Sequence, residues 1–165
     1  MNYNKDKNFL YHISDIINNE EYKIISTIPH HGETRLDHSY KVAYNSYKIA
    51  KFLKLDYVSV ARAGMLHDFY VDTTKDYKKI SKKIKLFAHS HPLDAVNNSK
   101  KLFELNKLEE DIIKTHMFPF NLRVPKYLES WIVNIVDTFI GAFEFSKKFS
   151  YQMNLFVLFF VNFRK

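Results

Sequence analysis

Apolar residues recur at helical spacing along nearly the whole chain, interrupted by only three glycines and four prolines, and this rhythm predicts an all-α fold. Phe9, Leu10, Ile13, Ile16 and Ile17 mark a first helix over Asp6 to Asn18, and a short second one over Glu20 to Thr27 stops before Pro29. After a loop, IPHHGETRLD, a third helix starts near Asp37 as N-cap. It runs to about Leu55, with Val42, Ile49, Ala50 and Leu53 on the side that carries His38. Asp56 caps the next helix, VSVARAGMLHDF, where Ala63 and Gly64 lie one turn before His67 and let a neighbouring backbone come close. The basic stretch from Asp72 to Phe87 reads as a loop plus an amphipathic turn, and His91-Pro92 as the opening of a helix, with proline where its missing N–H costs nothing. A helix from Leu108 to Met117 turns His116 inward. A long last helix from Lys126 to about Lys148 buries Trp131, Ile132, Ile135 and Phe139, with Asp137 among apolar neighbours.

Length and composition narrow the picture. At 165 residues the chain suits one domain spanning 1–165, long enough to bury a core without staples. It has no cysteine, so a bound metal must be held by nitrogen and oxygen, which suits Mn, Fe, Ni, Co, Mg or Zn and excludes a thiolate zinc knot. The net charge of +7 comes from 25 basic against 18 acidic residues. Because 21 of the basic residues are lysine rather than the arginine that specific phosphate recognition prefers, nucleic acid is not the expected partner. The opening residues are polar and unlike a signal peptide, which makes the cytoplasm the default location. The tail, 149–165, contains an unbroken apolar run from Leu155 to Val161, too short to span a membrane, which needs about 20 residues. It reads as a packed last element or as a surface for oligomerisation.

The candidate chemistry lies in six side chains. His67 and Asp68 are adjacent, so imidazole and carboxylate can reach one cation while the second carboxylate oxygen is free for another. His38 precedes the pair by 29 residues, His91 and His116 follow Asp68 by 23 and 48, and Asp137 lies 21 beyond His116. Each falls on or near the apolar face of a predicted helix. Burying that many ionisable groups together demands a shared counter-charge, and metal ions are the simplest one. In the AHSHP segment His89 competes with His91 for the ligand position.

The order H…HD…H…H…D, carried by His38, His67-Asp68, His91, His116 and Asp137, resembles the HD-domain superfamily of metal-dependent phosphohydrolases. The stretches RLDHSYKVAYNSYKIAKFLKLD and ARAGMLHDF resemble its bacterial members, and the likeness spans about Ile28 to Phe145. The resemblance implies a helical core with two divalent metal ions between helices. His38, His67, Asp68 and Asp137 would hold the first, Asp68 would bridge, and His91 and His116 would complete the second. The chain departs from many members in the Phe69-Tyr70 that follows the pair and in Thr138 after Asp137. It lacks the GYP-type signature of the cyclic dinucleotide phosphodiesterases.

The activity so implied is hydrolysis of a phosphoester in a small phosphorylated substrate such as a nucleotide, with a metal-activated hydroxide as nucleophile. Asp68 would be catalytic through its bridging role. His31 and Glu33, in the loop before His38, are candidates for a proton donor or for a partner of a ligand. Arg35, Lys75 and Arg123 are candidates for substrate phosphate. Two alternatives fit the same residues: a mixed-valent di-iron oxygenase of the same superfamily acting on a small polar substrate, and a non-catalytic module that binds a nucleotide or a partner.

Overall fold

The structure is a computed structural model that describes residues 3–30, 33–70 and 80–162; for residues 30, 80–89, 147–149 and 151–162 it describes the backbone alone. It is all α, as the periodicity implies, apart from a two-residue antiparallel pairing of β1 (Pro29–His30) with β2 (Glu33–Thr34). Helices α3 (Arg35–Phe52) and α4 (Tyr57–Leu66) form the central pair, with α6 (Lys107–Thr115) and α7 (Leu128–Asn162) packed on them and α5 (Ile80–Leu102) against α6. Two short helices, α1 (Lys7–His12) and α2 (Ser14–Ile17), and a 3-10 segment (Tyr22–Thr27) close one end of the bundle. There Phe9, Ile13, Ile16 and Tyr22 are fully buried, and the Tyr22 hydroxyl donates to the Met65 carbonyl at 2.6 Å, which fixes this layer beneath the end of α4. Among the described residues no helix is long and apolar enough to cross a membrane.

Polar residues at the helix starts set the boundaries. Asp56 accepts from the Ser59 backbone N–H, and Asn106 with Glu109 forms a reciprocal capping box on α6. The start of α3 lies two residues before the expected one. Thr34 is the N-cap, and Asp37 is the acid three positions later that answers it, each side chain satisfying the other's backbone N–H. The first predicted helix is divided at Ile13, next to Ser14, whose hydroxyl bonds back to the Tyr11 carbonyl.

Two larger differences concern α5 and α7. Helix α5 begins at Ile80, so the expected amphipathic turn runs on without a break into the next helix, and Pro92 lies inside that helix rather than at its start. Helix α7 continues through the apolar tail as far as Asn162. Its inward face also differs from the predicted one: Ile132 is buried and Trp131 half-buried, but Ile135 is 48% and Phe139 72% exposed. The buried seam instead follows Ser130, Val133, Asp137, Ile140 and Glu144, alternating steps of three and four, with a polar residue at every seventh position. Polar groups in the seam displace the hydrophobic signal onto the wrong face.

The central pair packs backbone against backbone at Gly64. A Cβ there would stand 2.7 Å from the Ala43 Cα, a backbone atom that cannot move aside alone. We expect Gly64→Ala to force α3 and α4 apart and to cost about 1–3 kcal/mol, read as a lower urea midpoint at unchanged slope. An unchanged midpoint would show that the helices do not meet there.

Candidate metal centre

The six candidate ligands converge from five helices. His38 lies in the first turn of α3, His67 and His116 cap the C-terminal ends of α4 and α6, His91 lies within α5, Asp137 lies in the third turn of α7, and Asp68 follows His67. Two of the imidazoles are oriented by their own helices. His67 Nδ1 lies 2.8 Å from the Gly64 carbonyl and His116 Nδ1 2.8 Å from the Ile113 carbonyl, each three residues back. A ring that donates through Nδ1 presents Nε2 as its lone pair, and both Nε2 atoms point into the shared space between the helices.

Within that space Asp68 is the hinge of the arrangement. Its Oδ1 lies 3.6 Å from Nε2 of His91 and 3.6 Å from Nε2 of His116, while Oδ2 lies 3.8 Å from Nε2 of His67. On the far side Asp137 Oδ1 is 2.9 Å from His38 Nε2 and 3.6 Å from His67 Nε2. The result is two buried triads that could each hold a metal ion, His38 with His67 and Asp68, and Asp68 with His91 and His116. Around a cation with bonds of about 2.1 Å, neighbouring donor atoms stand roughly 3.0–3.6 Å apart, and the separations here, 2.9 to 3.8 Å, are close to that spacing. The donor chemistry also fits. His67 Nε2 is buried with no hydrogen-bond partner among the described residues, and the Nε2 atoms of His91 and His116 face each other at 3.0 Å. An orphaned buried acceptor and a pair of opposed ring nitrogens are costly unless a proton or a cation lies between them.

Electrostatics follow from the same geometry. Burial opposes the charged form of His38, but hydrogen bonds to Asp137 and Glu144 outweigh it and raise its pKa to about 10. His67 is likewise raised: burial again works against its charge, and the Asp68 and Asp137 carboxylates prevail. His116 goes the other way, down to about 4, because burial and the neighbouring His91 and His67 all disfavour a further positive charge. Burial pushes the Asp68 and Asp137 carboxyls up, yet His67, His116 and His91 around Asp68, and His38 and His67 around Asp137, hold both well below the usual carboxylate range.

The other sequence candidates are placed less uniformly. Arg35 is buried at 5% exposure, its guanidinium stacked over the Tyr70 ring with the carbon 3.8 Å from the ring centre and Nη1 donating to the Tyr70 carbonyl. Tyr70 in turn lies 5.1 Å from the His91 ring, so one aromatic ring links Arg35 to the second triad, and the buried Nε of Arg35 finds no hydrogen-bond partner among the described residues. Glu33 is exposed and pairs with Lys41. Arg123 is half-buried on the α6–α7 loop, where its backbone N–H donates to Asn121 Oδ1. His31 and Lys75 lie outside the described residues, as does the side chain of His89. Sequence reasoning missed Glu144 and Asn134. Glu144 Oε2 lies 3.0 Å from His38 Nδ1, and Asn134 donates from Nδ2 to the carbonyls of His116 and Phe118, holding the turn that carries His116. The available signal was positional: Glu144 follows Asp137 by two helical turns and Asn134 precedes it by one, so all three share a face of α7.

An all-helical bundle with buried, convergent imidazoles and carboxylates defines a protein whose helices bring together groups that could hold a metal ion. The particular family is the HD domain, to which this chain belongs; the family model matches residues 35–141, about two thirds of its length. HD domains bind divalent metals, and the superfamily consists mostly of metal-dependent hydrolases. Comparisons with curated proteins and with solved structures returned no match.

Proposed function

We propose that this protein is a metal-dependent phosphohydrolase that cleaves a phosphoester in a small phosphorylated substrate, with nucleotides the first class to test. The observation that carries the reading is the division of Asp68 between the two triads, one oxygen toward His91 and His116 and the other toward His67. In that arrangement one carboxylate would serve two cations. When bound, two divalent ions would supply an activated water and neutralise charge on the phosphoryl oxygens. The chain's own part is to hold the donors rigidly. His67 and His116 are fixed by helix carbonyls, His38 by carboxylates, and the surrounding apolar core keeps the centre in a low dielectric, where charge interactions are strong. Arg35 is the substrate-phosphate contact this reading favours, because it is a buried cation one aromatic ring from His91 and its Nε has no hydrogen-bond partner among the described residues. Lys75, Arg123, His31 and Glu33 remain candidates for substrate or proton handling from the flanking loops.

The test is a phosphoester assay on protein stripped of metal and then supplied with Mn²⁺ or Co²⁺. We expect turnover only with metal present, and inhibition by inorganic phosphate. Protein that retains two irons after anaerobic purification and takes up O₂ with a small polar substrate would replace hydrolysis with the oxygenase reading. Metal uptake with nucleotide binding but no turnover would favour the non-catalytic module.

A further inference from the structure

His38, His67 and His116 are not held alike at Nδ1. His67 and His116 donate to backbone carbonyls of their own helices, whereas His38 Nδ1 meets a carboxylate carried by a distant helix: Glu144 Oε2, at 3.0 Å. Glu144 is 5% exposed, and its other oxygen accepts from Lys41 Nζ at 2.9 Å. Lys41 also pairs with the exposed Glu33. A chain of alternating charge therefore runs from the centre to the surface, through His38, Glu144, Lys41 and Glu33. Two of its links lie on α3 and are three residues apart, and Glu144 reaches them from α7. Glu144 and Glu33 fall outside the span matched by the HD family model.

A buried carboxylate facing a metal-ligating imidazole does two things. It fixes the tautomer so that Nε2 is the lone pair, and it makes that nitrogen a stronger donor than one backed by a neutral carbonyl. We infer that Glu144 is a positioning residue for this centre: it orients His38 with Nε2 toward the metal and strengthens the first triad, with Lys41 locking Glu144 in place. The inference rests on the metal-centre reading above and adds the residue that sets the orientation of one of its ligands.

The experiment measures Mn²⁺ binding to stripped, full-length protein by calorimetry and by loss of the free-ion EPR signal, for the wild type, Glu144→Ala, Glu144→Gln and His38→Ala. We expect two binding steps in the wild type. Glu144→Ala should weaken one of them by about 10- to 100-fold, the same step that His38→Ala removes. Glu144→Gln should recover much of the loss, since an amide oxygen still accepts from Nδ1–H but without the charge. Equal weakening of both steps, no recovery in Glu144→Gln, or wild-type affinity in Glu144→Ala would each overturn the inference. Should Glu144→Ala not fold, ¹⁵N-histidine spectra of the Zn²⁺-loaded wild type decide the matter: His38 must show a protected Nδ1–H with Nε2 coordinated, and coordination through Nδ1 would refute it. A wild type that takes up no Mn²⁺ or Zn²⁺ while folded would instead defeat the metal-centre reading itself, and this inference with it.

Discussion

On the proposed phosphohydrolase function, Asp68→Ala is expected to lower metal-dependent phosphoester turnover by about 10³-fold or more, since loss of a ligand shared by two cations would forfeit several kcal/mol of charge stabilisation. The protein should nevertheless remain folded. The Asp68 oxygens lie 3.6 to 3.8 Å from the surrounding imidazoles, beyond hydrogen-bond length, so removing them breaks no strong bond. It also removes the main reason for His67 to be protonated in the metal-free protein, so the residual cluster can relax toward neutral rings. Circular dichroism and a thermal scan establish the fold, and elemental analysis after desalting should find less than the wild-type metal content. Turnover surviving in a folded Asp68→Ala protein would end the assignment of this residue as the shared ligand.

The second large effect is a linkage between metal, proton and stability. His38 has a folded-state pKa near 10, above its ordinary 6.5, so the metal-free protein gains stability from its protonation below pH 6.5 and loses it as pH rises toward 10. The slope from this group reaches up to about 1.4 kcal/mol per pH unit. On the acid side the signs reverse. His116, depressed to about 4, favours the unfolded state as pH falls from 6.5 to 4, and Glu144, drawn down to about 2 against its burial by His38 and Lys41, loses its contribution as pH falls below its usual range. The metal-free protein should therefore be most stable near pH 6.5. A cation must displace the proton from His38 to bind Nε2, so adding Zn²⁺ or Mn²⁺ at pH 8 should release at least one proton per molecule, read with an indicator dye in weak buffer. Metal at 100 times its Kd adds about 2.7 kcal/mol, and the resulting rise in Tm should be larger at pH 8 than at pH 6. A rise independent of pH with no proton released would show that His38 is already neutral before metal binds.

The fates of individual residues show what could be read in advance. The six candidate ligands were visible because imidazole and carboxylate on apolar faces are conspicuous, and their order along the chain is specific enough to suggest a family. Gly64 was visible for a similar reason, as a small residue one turn before a ligand. Phe139 was misread: Ile132, Ile135 and Phe139 repeat at steps of three and four and so look like one core face, yet the inward seam carries Asp137 and Glu144 instead, and Phe139 turns outward. Pro92 was misread because proline at a first turn and proline inside a helix look alike without the backbone before it.

By itself the sequence determined the class of fold, through the period of its apolar residues, and the chemical type of the centre, through the absence of thiols and the supply of imidazole and carboxylate. Both follow from local properties of the chain. Only the tertiary structure decided which oxygen of Asp68 faces which histidines, that Glu144 stands behind His38 across 106 residues, and that Arg35 stacks on Tyr70 beside His91. Those relations depend on how α3, α4, α5, α6 and α7 cross, and helix crossings are set by the packing of side chains far apart in the chain, which leaves no periodic trace along it.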